Sequence, residues 1–164
     1  MILDDKKGRP FEVKDYRPEN YPDLVDMYDA FSPKARFQGM PPGEKNLRDK
    51  WIKGLVEGGE NILAWRKGEV IGHVVLIPDF SKGDAEYLIF VNQFNRGLGL
   101  GRALTEAAIK KADRMSLVTL WLTVDAYNFR AIRLYKSFGF QFLDDYRSPS
   151  ERMMFFHLRP KYGT

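Results

Sequence analysis

A glycine-rich stretch is the strongest chemical signal in the sequence. Arg96-Gly97-Leu98-Gly99-Leu100-Gly101 separates a predicted apolar strand that ends at Val91 from a predicted helix that begins near Gly99. Alternate glycines let backbone N–H groups approach a ligand closely, and the N-terminus of a helix attracts a phosphate or pyrophosphate. The spacing fits neither a dinucleotide-binding fingerprint nor a Walker A loop. The alternative is a turn whose glycines only permit tight packing of the helix against the strand.

Positive charge is concentrated around this stretch. The whole chain carries a net charge of +4, from 26 basic and 22 acidic residues. Residues 96–136 contain eight Lys/Arg against three Asp/Glu, a net charge of +5. The excess favours a phosphate-rich ligand, although a solvated helix face would give the same count. A nucleic-acid binder is the other class that a basic region allows, but no recognised recognition motif is present, so nucleic acid is not expected as a partner.

Three polar side chains outside the stretch could take part in chemistry. Asn128 and Tyr135 share one face of a predicted helix and are separated by about 10 Å along its axis. They could hold a ligand along the helix, or Asn128 could cap it and Tyr135 could be a core aromatic. Glu86 opens the apolar strand that ends at Val91. A half-buried carboxylate there would have a raised pKa and could act as a base near neutral pH, whereas most acids at strand ends are only solvated.

The composition excludes several other kinds of site. The chain has no cysteine and two histidines, so neither disulfides, thiolate nucleophiles nor a zinc centre is expected, and no metal is predicted. The N-terminus lacks the apolar stretch of a signal peptide. The longest apolar run, Val70–Pro78, is far shorter than the roughly 20 residues of a membrane-spanning helix. We therefore expect a cytoplasmic protein without a membrane partner.

The apolar periodicity alternates between strand and helix along the chain. Strands are predicted at 11–14, 62–66, 70–77, 85–91, 118–124, 140–143 and 153–158, and helices at 21–31, 44–57, 99–114 and 128–138. The inward faces of the first two helices are predicted to carry Leu24, Met27, Tyr28 and Phe31, and then Leu47, Trp51, Ile52 and Leu55. This order indicates a mixed sheet covered by helices in a single α/β or α+β domain over residues 1–164.

Together these motifs resemble the GCN5-related N-acetyltransferase (GNAT) family. The family pattern Gln/Arg-x-x-Gly-x-Gly/Ala is met in full by residues 96–101. The motif Asn128-x-x-Ala131-x-x-x-Tyr135-x-x-x-Gly139-Phe140 is similar to the family's second signature. Glu86 stands where many members carry an acid on the strand ahead of the loop, and the element order matches along nearly the whole chain. One departure is Gln93, where the family often has proline.

The resemblance implies a mixed, mostly antiparallel central sheet of about seven strands flanked by about four helices. It also implies acetyl-CoA as cosubstrate, with its pyrophosphate on the glycine-rich loop and its pantetheine arm along a gap between two splayed strands. The implied cofactor contacts are Phe90, Val91, Arg96, Gly97, Leu98, Gly99, Leu100, Gly101, Arg102, Asn128 and Tyr135. A main-chain N–H near Val91 would stabilise the tetrahedral oxyanion.

The catalytic roles that the resemblance implies belong to Glu86 and Tyr135. Glu86 would take a proton from the incoming amine, which for a lysine-like group with a pKa near 10.4 is neutral in only about one molecule in 10³ at pH 7. Tyr135 would donate a proton to the departing thiolate. The implied function is direct N-acetylation of a primary amine, and the alternative is a non-catalytic acyl-CoA-binding module.

The acceptor is the part that the sequence specifies least. Residues 28–42, with Phe31, Phe37 and Met40, and residues 144–152 are expected to shape its site. Residues 31–37 faintly resemble a segment of bacterial protein-lysine acetyltransferases, so a protein lysine is a candidate beside a small-molecule amine. A cationic amine would be attracted by the acids Asp23, Asp26, Asp29, Asp144 and Asp145. The sequence does not specify an oligomeric state, although homodimers are frequent in the family.

Overall fold

The computed structural model describes residues 1–34, 40–143 and 150–159, and these form eight strands and four α-helices. In chain order the elements are β1 (Ile2–Asp4), β2 (Pro10–Asp15), α1 (Tyr21–Ala30), α2 (Lys45–Gly58), β3 (Glu60–Arg66), β4 (Glu69–Asp79), β5 (Asp84–Val91), α3 (Leu100–Arg114), β6 (Thr119–Asp125), α4 (Phe129–Phe138), β7 (Gln141–Phe142) and β8 (Glu151–His157). A 3₁₀ turn at Pro18–Asn20 precedes α1. None of the helices in this described part of the chain combines the length and apolarity needed to cross a bilayer.

The strands form one mixed sheet in the order β1-β2-β3-β4-β5-β6-β8-β7. Pairing is antiparallel for β1 with β2, β2 with β3, β6 with β8 and β7 with β8, whereas β5 and β6 are parallel. The predicted fold class is therefore confirmed, with one strand more than the seven expected. The additional strand is β1, which has only three residues and exists because it pairs with Pro10–Glu12.

Two compact units make up the chain. The first contains Met1–Val75 and Ile89–Ala108, and the second contains Leu76–Leu88 and the described residues of 109–164. The strands β4 and β5 and the helix α3 contribute residues to both units. The single domain that the sequence indicates stays a prediction.

An aromatic cluster forms the core of the first unit. Tyr28 of α1 lies edge-on to Trp51 and Phe90, with ring centroids 5.1 and 5.7 Å away, and Phe31 packs 5.7 Å from Tyr28. These contacts confirm the predicted inward face of α1, because Leu24, Met27 and Tyr28 are all buried. The cluster joins the end of α1 to the last part of β5, which leads into the glycine-rich loop.

The helix α2 differs from the predicted pattern at one turn. Leu47 was expected to face inward but is 58% exposed, and the neighbouring Arg48 is buried instead. The guanidinium of Arg48 donates to Asp29 at 2.8 Å and to the carbonyl oxygen of Gly43 at 2.9 Å, so its charge is compensated. Glu44 caps the helix, because its carboxylate accepts hydrogen bonds from the backbone N–H groups of the first turn.

In the second unit, β6 supplies the central apolar face. Leu120, Leu122 and Val124 are buried, as their alternation predicts, and β8 pairs with β6 along its whole length. The rings of Tyr87 and Phe140 lie 5.9 Å apart and close the same core. This packing fixes the beginning of β5 and the end of α4, the two elements that carry the predicted catalytic residues.

Candidate active site

The glycine-rich loop of the first unit has the backbone conformation that its sequence demands. Gly97 and Gly99 have φ angles of 73° and 99°, in the left-handed region that side chains with a Cβ adopt at a cost. Leu100 then begins α3 with its side chain almost wholly buried. The loop therefore presents backbone N–H groups at a helix N-terminus, where the partial positive charge favours an anion. This geometry suits a phosphate or pyrophosphate.

Close packing holds this helix against the sheet. A Cβ added to Gly72 of β4 would come within 2.9 Å of Cδ1 of Leu104 and within 3.5 Å of the carbonyl oxygen of Phe90. Leu104 itself is fully buried. The glycine in β4 thus allows the first turns of α3, and with them the loop, to lie close to the strands.

The side chain of Arg96 is engaged by the protein. Its Nε donates to the carbonyl oxygen of Val91 at 2.9 Å, and its Nη2 donates to the carbonyl oxygen of Ser32 at 2.7 Å. The guanidinium also lies 5.2 Å from the ring centroid of Phe31. Arg96 therefore connects the loop to the segment that follows α1.

Gln93 makes a second connection to the same segment. Its Oε1 accepts from the backbone N–H of Ser32 at 3.0 Å, and its Nε2 donates to the carbonyl oxygen of Ala30 at 2.8 Å. Proline could make neither hydrogen bond, so the departure at this position has a structural consequence. Sequence reasoning noted the departure but missed its role, because the partners lie about sixty residues away along the chain.

Glu86, in the second unit, lies where two parallel strands part. Pairing of β5 with β6 covers Asp84–Glu86 and Thr119–Trp121, and no further pair between them occurs in the described residues. Both strands nevertheless continue toward the loop side, to Val91 and Asp125. The Glu86 side chain is half-buried, and burial raises the pKa of its carboxyl. A carboxylate with a raised pKa at such a fork is suited to accepting a proton.

Tyr135 projects from α4 into the aromatic core of the second unit. Its ring lies 5.8 Å from that of Tyr87 at an interplanar angle of 84°, and 5.8 Å from that of Phe140. Burial raises the pKa of its phenol well above 10, so the hydroxyl keeps its proton throughout the physiological range. No hydrogen bond to another described residue engages that hydroxyl. A protonated donor on a fixed ring is the arrangement that an acid role requires.

Asn128 caps the same helix. Its Oδ1 accepts from the backbone N–H of Ala131 at 3.2 Å, so the capping role that the sequence offered as the alternative for Asn128 is observed. The side chain is nevertheless exposed, and capping occupies only its carbonyl oxygen. At the other end, Gly139 adopts a φ of 105° and the backbone N–H of Phe140 donates to the carbonyl oxygen of Tyr135. These two ends fix the orientation of Tyr135.

The predicted site residues are distributed over both compact units. Phe90 and Leu100 have buried side chains, so only their backbones are open to a ligand. The loop residues of the cofactor prediction lie together in the first unit, and Glu86, Asn128 and Tyr135 lie in the second. Phe37, Asp144 and Asp145 fall outside the described residues. Among the residues that are described, no cluster of His, Asp and Glu is arranged to hold a metal ion.

An acidic cavity of about 260 Å³ opens beside the loop in the first unit. Asp23 and Asp26 of α1 and Glu69 of β4 contribute its carboxylates, and Gln93 and Phe94 form its loop side. Two of the acids that the sequence suggested as attractants for a cationic amine therefore line one space. Sequence reasoning missed Glu69, since its separation from α1 along the chain gives no signal.

The chain is similar to known proteins in sequence and in fold. The model of the acetyltransferase (GNAT) family matches residues 24–140. A mycothiol acetyltransferase from Acidothermus cellulolyticus is 36% identical over 94 residues, which are 48% of this chain and 29% of that protein. The match thus spans about three tenths of the length of this relative.

Solved structures show the same fold. The GNAT domain of Streptomyces lividans PAT superposes with a TM-score of 0.82, at 16% identity and with 96% of each chain covered. A putative acetyltransferase from Salmonella typhimurium, solved with its cofactor acetyl-CoA, superposes with a TM-score of 0.71 at 17% identity, covering 94% of this chain and 96% of that one.

Proposed function

The chain belongs to the acetyltransferase (GNAT) family, and from this premise we propose that it transfers the acetyl group of acetyl-CoA directly to a primary amine. The observation that carries the proposal is the loop of residues 96–101, where two left-handed glycines lead into the N-terminus of α3. Backbone N–H groups at that position bind the pyrophosphate of the cosubstrate. The N–H near Val91 polarises the thioester carbonyl, and Asn128 contacts the pantetheine.

Glu86 is the base in this proposal. An ammonium group approaching the acetyl carbonyl must lose a proton before its nitrogen can attack, and the half-buried carboxylate takes it. The raised pKa of Glu86 brings its basicity closer to that of the amine, so the proton transfer is less unfavourable. The C–N bond then forms, and the oxyanion of the tetrahedral intermediate is stabilised by backbone N–H groups.

Tyr135 assists the departure of the thiol. When the C–S bond breaks, the sulfur takes the electron pair, and the nitrogen releases its second proton to solvent to give the amide, while solvent restores the proton that Tyr135 gives up. The protonated hydroxyl of Tyr135 donates to the sulfur as this charge develops, which leaves CoA as a thiol. The chain has no cysteine, so transfer through an acyl-thiol enzyme is excluded and the amine attacks the bound thioester itself.

A cationic amine is the acceptor class that the surface supports best. Asp23, Asp26 and Glu69 line the cavity beside the loop and would attract a positive charge. Both a protein lysine and a small polyamine carry that charge, and neither requires a metal.

The test combines binding with turnover. Calorimetry should show acetyl-CoA binding, and thiol release should be stimulated by members of a panel of lysine peptides, N-terminal peptides and small diamines. Mass spectrometry should find one acetyl group on the stimulating amine. Absence of acetyl-CoA binding would overturn the proposal, and binding without thiol release across the panel would replace the enzyme by a non-catalytic acyl-CoA-binding module.

A further inference from the structure

The turn between β1 and β2 lies against the glycine-rich loop. The backbone N–H of Lys6 donates to the carbonyl oxygen of Leu98 at 2.9 Å. A Cβ added to Gly99 would lie 3.9 Å from Cγ of Lys6, so the stem of the lysine side chain passes close to this glycine. Lys6 is therefore a neighbour of the loop backbone that is proposed to bind phosphate, although it lies about ninety positions earlier in the chain.

A buried carboxylate fixes this turn. Asp5 has no exposed side-chain surface, and it accepts hydrogen bonds from the backbone N–H groups of Lys7 at 2.8 Å and Arg9 at 3.0 Å. Burial alone would raise the pKa of Asp5, but the hydrogen bonds from Arg9, Lys7 and Arg66 lower it to about 2. The carboxylate is therefore ionised at any working pH, and the turn that presents Lys6 keeps its shape.

The same carboxylate connects the turn to the loop through Arg66. Nη2 of Arg66 donates to Asp5 at 2.9 Å and to Oδ1 of Asn95 at 3.2 Å, and Nδ2 of Asn95 donates to Oδ1 of Asn92 at 2.7 Å. Asn95 is buried although it is polar. Turn and loop are thus joined at two points, by this chain of hydrogen bonds and by the backbone bond of Lys6.

Lys6 brings a positive charge to this junction, and its side-chain stem passes beside the loop at Gly99. Arg9 and Arg66 both form ion pairs with Asp5, which uses its negative charge. The ammonium of Lys6 is exposed and forms no ion pair with any residue that the structure describes. We propose that Lys6 binds a phosphate group of the acyl-CoA, so that the β1–β2 turn is part of the cofactor site. This inference rests on the proposed function.

The variant Lys6→Met tests it, because methionine keeps an aliphatic stem over Gly99 and loses the charge. We expect the Kd for acetyl-CoA, measured by calorimetry at low ionic strength, to rise about threefold to tenfold. The difference from the wild type should largely vanish near 1 M salt, where screening acts within about 3 Å. The matched control Lys7→Met, one residue along the same turn, should change the Kd less than twofold.

A second ligand, 3′-dephospho-CoA, identifies which phosphate group Lys6 binds. If the effect of Lys6→Met persists with 3′-dephospho-CoA, the lysine binds the pyrophosphate, and if it disappears, the lysine binds the 3′-phosphate. An unchanged Kd in Lys6→Met, an equal change in Lys7→Met, or a loss that high salt does not reduce would overturn the inference. Failure of the wild type to bind acetyl-CoA would instead overturn the proposed function. Thermal unfolding without ligand should be the same for both variants and the wild type, since the backbone bond to Leu98 remains.

Discussion

The hydroxyl of Tyr28 donates a hydrogen bond to Nδ1 of His73 across 2.6 Å, and Nε2 of the same ring donates to Oδ1 of Asn61 across 2.7 Å. The direction of the second hydrogen bond follows from Asn61. Its Nδ2 donates to the carbonyl oxygens of Leu55 and Gly59, so its Oδ1 faces the histidine and can only accept. His73 therefore carries its proton on Nε2 and is neutral. It is fully buried, and burial lowers its pKa to about 3.

This histidine should make the protein less stable in mild acid. Unfolding returns the pKa of His73 to about 6.5, so below that pH the unfolded chain binds a proton that the folded chain excludes. The free energy of unfolding should fall by up to about 1.4 kcal/mol per pH unit from pH 6.5 toward pH 3. Urea titrations between pH 7.5 and pH 5 measure the slope.

The second histidine provides the control for this slope. His157 is exposed, and its Nδ1 lies 2.8 Å from the hydroxyl of Thr119, so His157→Gln leaves the buried histidine intact and its stability should still fall in mild acid. Tyr28→Phe should lower stability by about 1–3 kcal/mol at pH 7, because Nδ1 loses its donor inside the core. A flat stability profile from pH 7.5 to 5 in the wild type would contradict a neutral buried His73.

Replacing Glu86 should remove the acid limb of the pH–rate profile. The raised pKa of Glu86 predicts that kcat/KM falls with decreasing pH at a value above the ordinary 4.5 of a glutamate, since only the carboxylate accepts a proton. In Glu86→Gln we expect kcat/KM to drop about 10²-fold near neutral pH and the limb to disappear. Steady-state thiol release across the pH range checks both.

Asp84 is a matched control on the same strand. It lies two residues before Glu86, on the same face of β5, and it pairs with Thr119 inside the closed part of the parallel ladder. Asp84→Asn should keep both the rate and the acid limb. If Asp84→Asn loses the limb and Glu86→Gln keeps it, the base is misassigned.

The local sequence was sufficient to predict a residue's role wherever that role depends on the conformation of the residue's own backbone. Gly97 and Gly99 were predicted as loop glycines and have left-handed φ angles, and the helix predicted over 128–138 ends at Gly139, which has a φ of 105°. The alternation that placed Leu120 and Leu122 inward was also correct. Conformation and periodicity are encoded within a few residues, and so they can be read from one sequence.

Roles that depend on distant partners could not be read in this way. Arg96 was identified from its motif, but its hydrogen bond to Ser32 joins residues sixty-four positions apart. Arg48 is buried where Leu47 was expected, because Asp29 and the carbonyl oxygen of Gly43 compensate its charge. The apolar periodicity of the sequence gives no sign of these partners. The strand β1 was not predicted, because three residues are too few to show a periodic pattern. It is a strand only because it pairs with β2.

Tyr135→Phe should reduce turnover much more than cosubstrate affinity. The ring keeps its contacts with Tyr87 and Phe140, so the fold is maintained, and only the hydroxyl that donates to the leaving sulfur is lost. We expect kcat to fall about 10²-fold, at the lower edge of the usual contribution of a general acid, and the Kd for acetyl-CoA to change less than about twofold. Tyr127→Phe, at an exposed position just before α4, is the matched control and should behave like the wild type. Unchanged turnover in Tyr135→Phe would remove Tyr135 from the acid role.

Gln93 should order the segment after α1 without binding the cosubstrate. Gln93→Ala removes the acceptor of the Ser32 N–H and the donor to Ala30, so we expect faster hydrogen exchange at the Ser32 amide. The KM for the acceptor should rise several-fold, because this segment leads into the region expected to hold the amine, while the Kd for acetyl-CoA stays within about twofold. Gln93→Glu keeps an acceptor for Ser32 but replaces the donor to Ala30 by a charged oxygen, and its Ser32 amide should remain more protected than in Gln93→Ala, where the acceptor is absent. Equal exchange at Ser32 in the wild type and Gln93→Ala would show that Arg96 alone holds the segment.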